Sequence, residues 1–306
     1  MTQKKLITML FLCCIFLAGL YLLSFSNGMS RAPEFTAAAL LNPNSVGDIG
    51  GISISNADGS IDLSFVNDCW LCTVGESVFP TDQNFVKQFV DTVTQPRQLY
   101  VVSRKNNKTE YAYAIDFLSA EKKLVAELFF GKENYSGKKI YVNIDDSPVY
   151  ETENVFFPWL SVSPRQWADM FLVPQSLLGE TSVEDVQRIV VSTDNKSRIF
   201  DSNDSNFYDV AGKFLSLRGG NISHLPDSLE QEKPLASIRI ETGTGGVVTL
   251  KIHGGQATEN LDSSSFLVVP EVLPGTGKGN PLAAISCDYG LEISAWTYET
   301  MIDFLN

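Results

Sequence analysis

GGISISNADGSIDLSFVNDCWLCTV, residues 50–74, decides how the chain is read. Ile52 and Ile54, then Ile61, Leu63 and Phe65, recur at every second position, the period of a half-buried strand. The polar NADG and ND steps between the runs are turn signals, so ISIS, IDLSF and CWLCTV read as consecutive strands.

The last of these raises a chemical question, because Cys69 and Cys72 have the spacing of a redox dithiol or half a zinc site. In a strand the two side chains point to opposite faces. Three steps of roughly 3.3 Å put their Cα atoms about 10 Å apart, beyond the roughly 7 Å limit of a disulfide. A redox pair needs a helix N-terminus to lower the thiol pKa. Asp68 could cap one, but TVGESVFP follows, with β-branched residues, Gly75 and Pro80 leaving about one turn. Structural cysteines are the reading. A closed zinc site needs four ligands. Beyond the N-terminal run the chain offers Cys69, Cys72, Cys287, His224 and His253, without a second ligand spacing, so no metal and no cofactor is expected. A bridge from Cys287 to either Cys69 or Cys72 stays open for an oxidising compartment.

Working outward, PTDQNFVKQFVDTVTQ carries Phe85, Val86, Phe89, Val90 and Val93, a helical stripe with Thr81 as its expected N-cap. LYVVS, YAYAIDFL, KLVAELFF, KKIYVNI and PVYETE read as strands. SPRQWADMFL reads as a helix, with Ser163 as cap, Pro164 at the first position and Gln166 closing a capping box. The order then recurs. VQRIVVS and SRIFDS are strands, DSNFYDVAGKFLSL a helix capped at Asn203, four further strands follow, and SAWTYETMIDFL ends the chain as a helix. Asp82 and Asp204, Asn84 and Asn206, and Phe85 and Phe207 share one offset; Phe129 with Ile252 and Gly131 with Gly254 share another. A tandem duplication follows. The expected fold class is α+β: an N-terminal transmembrane helix, then two tandem repeats of an antiparallel β-sheet unit with two helices each. The expected divisions are 1–30 as cytoplasmic tip and membrane anchor or signal, 31–48 as linker, 49–173 as first repeat, 174–184 as joint and 185–306 as second repeat.

The N-terminal expectation rests on Lys4 and Lys5 followed by the uncharged run Leu6–Leu23. Eighteen helical residues span roughly 27 Å, close to a bilayer core, and the basic flank stays inside. A retained anchor in the inner (cytoplasmic) membrane is expected, N-terminus inside and the rest extracytoplasmic; a cleaved signal is the alternative, with SNG at 26–28 a poor cleavage site. A net charge of −13 excludes a nucleic-acid partner, whose phosphates demand clustered Lys and Arg.

The hairpin GGISISNADGSIDLSF, the strand with Trp70, the unit PTDQNFVKQFVDTVTQPRQLYVVS and the run FFGKENYSGKKIYVNIDDSPVYETE together resemble the bacterial family called domain of unknown function 4340 (DUF4340), over most of residues 49–190. The resemblance implies an extracytoplasmic accessory role beside a gliding-motility-type ABC transport system, whose membrane subunits would be partners. It supplies no catalytic residues.

Other candidates reduce to ordinary roles. PGTGKGN, 274–280, has Val272 and Gly279 where a phosphate loop needs Gly and Ser or Thr. DSNDSNFYD, from Asp201, has Asn206 and Gly212 where a calcium loop needs Gly and Glu. His253 falls by alternation with Lys251 and Thr249 on a polar face, His224 lies in a loop, and Asp145 and Asp146 fit a turn before Pro148. No Gly-x-Ser-x-Gly elbow is present. No catalytic, cofactor or metal residue is therefore nominated, and a non-enzymatic protein is expected. Its first reading is the anchored accessory subunit, with Tyr100, Tyr111 and Tyr150 as a contact face. The alternative is a binding module for a small ligand or envelope polymer, with a cleft near 174–184.

Overall fold

The computed structural model describes residues 15–17, 35–75, 77–104, 111–145, 147–174, 182–225, 229, 232–243, 245–254, 265–273 and 289–305. In chain order the first part comprises β1 (Phe35–Ala38), β2 (Ile49–Asn56), β3 (Gly59–Val66), β4 (Cys69–Val74), β5 (Ser77–Pro80), α1 (Gln83–Thr94), β6 (Arg97–Ser103), β7 (Tyr113–Ser119), β8 (Leu124–Glu133), β9 (Lys139–Ile144), β10 (Val149–Glu153) and the single turn α2 (Pro164–Trp167). The second comprises β11 (Val186–Thr193), β12 (Ser197–Asp201), α3 (Phe207–Ser216), β13 (Asn221–His224), β14 (Ala236–Thr242), β15 (Val247–Gly254), β16 (Ser265–Leu273), β17 (Tyr289–Ser294) and α4 (Ala295–Ile302).

The strands build two antiparallel sheets. The ten-stranded one runs β1-β6-β10-β9-β8-β7-β2-β3-β4-β5, the seven-stranded one β12-β11-β14-β15-β16-β17-β13. Without β1, β4 and β5, the first order becomes β3-β2-β7-β8-β9-β10-β6, which the second follows strand for strand. The helices follow too. Val86, Phe89 and Val93 of α1 and Phe207, Val210 and Phe214 of α3 are buried at the same three- and four-residue steps.

Local chemistry explains the first meander. Asn67 and Asp68, the two residues between β3 and β4, have φ of 51° and 63°. Asn and Asp tolerate this left-handed region, which a tight two-residue hairpin demands. The ND step thus turns the chain straight into β4, and no helix begins at Asp68.

The expected α+β class is overturned: the fold is mostly antiparallel β-sheet in two sheets, with few and short helices. The segment SPRQWADMFL shows why. Its helix stops at Trp167, because Ala168 turns extended (ψ 148°) to bridge Thr81, and Asp169 N–H bonds Pro80 O at 2.9 Å. Pairing with a distant edge overrides local helix signals. The caps also differ. Asp82, not Thr81, caps α1 through Phe85 N–H at 3.1 Å, while Thr81 is buried with its hydroxyl on Trp70 O. Ser163 makes no side-chain cap, and α3 starts after Asn206 rather than Asn203. Residues 35–48, expected as linker, form β1 against β6 and a 3-10 turn, with Leu40 and Leu41 buried.

The membrane-anchor expectation is corrected as well. Among the described residues no helix is long and apolar enough to cross a membrane. The longest, α1, has 12 residues, about 18 Å against a core of about 30 Å. The described residues thus give no support to the transmembrane helix, the signal anchor or the single-pass inner-membrane placement. Of the run Leu6–Leu23 only Ile15–Leu17 is described, as helical and exposed; the rest lies outside the described residues.

Both sheets share one continuous apolar core. The seam runs through an extended stretch, Trp167–Leu172. On one side Asp82 N–H bonds Trp167 O and Asp169 N–H bonds Pro80 O; on the other Leu172 N–H bonds Leu217 O and Gly219 N–H bonds Met170 O, each at 2.9 Å. Phe79 meets Tyr289 across the seam, and Arg218 stacks on Phe171 at 4.1 Å. The expected joint at 174–184 lies largely outside the described residues.

Candidate binding cleft

One face of the ten-stranded sheet carries a cavity of about 520 Å³ at the tip of the β2–β3 hairpin, lined by Ser55, Asn56, Ala57, Asp58, Tyr111, Ala112, Tyr113, Ala114 and Phe129. Its floor is a cross-strand row: Ser60 pairs with Ser55, Ser55 with Ala114, and Ala114 with Phe129. Residues paired this way share a face. Three small side chains therefore lie beside one large ring, and the step between them makes the hollow.

The walls are fixed from both sides. Asn56 Oδ1 accepts from Asp58 N–H at 2.8 Å and Gly59 N–H at 3.1 Å, locking the hairpin tip. Opposite, Ala112 N–H bonds Phe130 O at 2.8 Å, and Tyr111 lies 5.5 Å from Phe129, ring centre to ring centre. A Cβ on Gly131 would sit 3.3 Å from Tyr141 Cβ and 3.7 Å from the Tyr111 ring, so glycine keeps that wall close to the sheet. The next row on this face is acidic: Asp62, Ser53, Asp116 and Glu127 pair in sequence, and Asp145 Oδ1 accepts from Glu127 N–H. No Lys, Arg or His lines the cavity among the described residues. The arrangement offers aromatic faces and hydrogen-bond acceptors, which hold and orient a ligand.

The residues singled out from sequence do not converge here. Cys69 and Cys72 lie in β4 on opposite faces: Cys72 pairs with Leu63 in the main core, while Cys69 joins Leu71, Val78 and Val272 in a small cluster at the seam. Burial, with a smaller push from Asp169, raises the Cys69 thiol to about 11; burial, then Asp62, raises Cys72 to about 12. Cys287 lies outside the described residues, as do 274–280 and Asp146. No group of three metal-ligating side chains is present among the described residues.

His224 Nδ1 lies 3.0 Å from Ser77 Oγ and so ties β13 to β5 across the seam. His253 corrects the expectation of a surface histidine. It shares a face with Lys251, yet it is 4% exposed and its Nδ1 has no hydrogen-bond partner. Leu225 lies on this face, where it reaches Gly290 beside Leu267, the residue paired with His253, and Leu235 N–H bonds Ile252 O. Burial lowers the His253 pKa; Glu232 raises it and Lys251 lowers it. Asp145 serves a turn at φ 48°, and Asp201 and Asp204 bond the backbone of their own loop.

Tyr100, Tyr111 and Tyr150 do not form one face. Tyr100 packs on Phe35 under Lys139, Tyr150 packs against the core, and Tyr111 walls the cavity. Sequence reading missed the cavity because Ser55, Ala114 and Phe129 become neighbours only through strand register. No family model matches the chain, and no curated protein or solved structure is significantly similar to it.

Proposed function

We propose that the protein is a non-catalytic binding module that holds a small neutral ligand in the cleft at the β2–β3 hairpin tip. The observation that carries this reading is the aromatic wall of Tyr111 and Phe129 raised beside the small floor of Ser55 and Ala114. An aromatic wall favours a ligand with a flat apolar face. Asp58 and the Ser55 hydroxyl, with no cation lining the cavity among the described residues, favour hydroxyl donors over a phosphate or carboxylate. A pyranose combines both properties. Between the two functions that the sequence raises, the cleft favours the binding module over the accessory subunit, since the three tyrosines expected as a contact face are dispersed.

The test is calorimetric titration of the full chain with glucose and N-acetylglucosamine disaccharides, and with glucose 6-phosphate as the anionic control. The disaccharides bind and the phosphate binds at least ten-fold more weakly. Phe129→Ala and the cleft-filling Ala114→Phe each lower affinity about ten-fold or more, as loss of one stacking contact of roughly 1.5 kcal/mol requires. Equal binding by wild type and Ala114→Phe would refute the site.

A further inference from the structure

Beyond the cleft's aromatic wall, the outward face of the ten-stranded sheet carries further rings. Register places them in one row: Tyr141 pairs with Glu151, Glu151 with Tyr100, and Tyr100 with Phe35. Paired residues share a face. Tyr141 adjoins the cleft, since it and Tyr111 both lie against Gly131. Tyr150 turns to the core, so Tyr141 is what joins Tyr100 to Tyr111. Tyr111, Phe129, Tyr141 and Tyr100 are half-buried, and Phe35 is 58% exposed, 5.9 Å from Tyr100 between ring centres. In the order β8-β9-β10-β6-β1 the row crosses four strand spacings, roughly 19 Å. That is longer than a single sugar ring.

The polar groups among the rings select the ligand. Lys139 Nζ lies 5.0 Å from the Tyr100 ring centre and bonds Glu151 Oε2 at 2.7 Å, so its charge is cancelled in place. Tyr100 Oη donates to Gln98 Oε1 at 2.6 Å. A carboxylate has lone pairs for several donors, and Glu151 therefore still accepts from a ligand. Ser55 and Asp58 repeat this offer at the cleft end. Rings take the apolar face of a pyranose, and carboxylates take its hydroxyls. A proline-rich peptide also lies on aromatic rows, but its carbonyls need donors, and the Tyr100 hydroxyl is already committed. An anionic polymer would meet Glu151 and the acidic row of Asp116 and Glu127 beside the cleft.

The second unit supplies an internal comparison. Phe130 opposite Tyr113 corresponds to Ile252 opposite Ala236. In that register the row Tyr100, Glu151, Tyr141 and Gly131 corresponds to Asn221, Glu292, Leu267 and His253. The glutamate recurs, but the rings do not. Where the first unit keeps Gly131 and half-buried rings, the second is filled, with His253 4% and Leu267 0% exposed. We infer that the aromatic row extends the cleft and binds a neutral linear oligosaccharide laid across β8, β9, β10, β6 and β1, one per chain, an assignment that rests on the binding reading of the cleft.

The test is calorimetric titration of the full-length chain with cellobiose and cellohexaose, and with the chitin di- and hexasaccharides. In at least one series the hexasaccharide binds about ten-fold or more tightly than its disaccharide, as one added stacking contact requires, at one per chain. Tyr100→Ala removes this gain from length and leaves disaccharide binding unchanged, which also shows that the variant is folded. Tyr100→Phe keeps the ring and the gain. Equal affinity for both lengths would overturn the inference and leave the cleft standing. So would a length gain untouched by Tyr100→Ala, or two hexasaccharides per chain. A proline decapeptide bound more tightly than the hexasaccharide would overturn the choice of occupant. Absence of any disaccharide binding would instead sink the cleft, and the row with it.

Discussion

Acidification should destabilise the second unit through His253, and the size of the effect follows from its burial. The side chain is 4% exposed, Nδ1 has no partner, and burial lowers its pKa below the usual 6.5, with Lys251 reinforcing and Glu232 opposing. A group with a lowered folded-state pKa binds more protons unfolded than folded below pH 6.5. Stability is therefore full above that pH and falls as pH drops, until the folded-state pKa is reached. With the unfolded value at 6.5, the loss between pH 7.5 and 5.5 is at most about 1.4 kcal/mol. That corresponds to a melting shift of roughly 2 °C in a chain of 306 residues. The perturbation is His253→Leu, of similar volume, which removes both the titration and the orphaned nitrogen. Paired urea or thermal unfolding curves of wild type and variant, taken at half-unit steps from pH 7.5 to 5.5, isolate the residue because all other groups titrate in both. The variant gains relative stability steadily as pH falls. A difference that stays flat over this window would show that His253 is solvated or bonded in solution, and the reasoning would fail.

Cys69 and Cys72, with thiols raised to about 11 and about 12, carry almost no thiolate at pH 8. Peptide mapping after iodoacetamide should find both unmodified in native protein and both modified in urea, and rapid native labelling of either would contradict the burial. Asp82→Ala removes the cap on Phe85 N–H and should cost about 1 kcal/mol in urea unfolding. Thr81→Ser, which keeps the hydroxyl bonded to Trp70 O, should cost less, and an Asp82→Ala variant as stable as wild type would show that Asp82 is not the cap.

What the sequence made legible were features settled within one segment. The alternation at Ile52, Ile54, Ile61 and Leu63 marks β2 and β3, and the stripe at Val86, Phe89 and Val93 marks α1. The β-branched context of CWLCTV marks β4 and the opposite faces of its cysteines. What escaped depends on partners far along the chain. Ala168 is extended because Thr81 lies beside it, although Ser163 and Pro164 announce a helix. Polar alternation places His253 with Lys251 correctly, but nothing local signals that this face is buried at His253. Matching Phe129 to Ile252 is also one residue out. Phe130 and Ile252 are the fully buried pair, each opposite the first residue of the preceding strand, Tyr113 and Ala236. A one-residue slip exchanges the faces of a strand. The cleft is hidden for the same reason, since its floor exists only in the register of β2, β7 and β8.

The Trp167–Leu172 stretch bears on how fast a ligand can be captured. Its four backbone bonds, two to each unit, sit where a clamshell-type protein would have its hinge. A hinge works through a few residues free to change φ and ψ, and these are pinned from both sides. A jaw-like closure of one unit onto the other would have to break this shared ladder and open a continuous core. The cleft, moreover, lies wholly within the first sheet. Capture should therefore be a single step, with an observed rate linear in ligand concentration and no plateau from a slow closing motion.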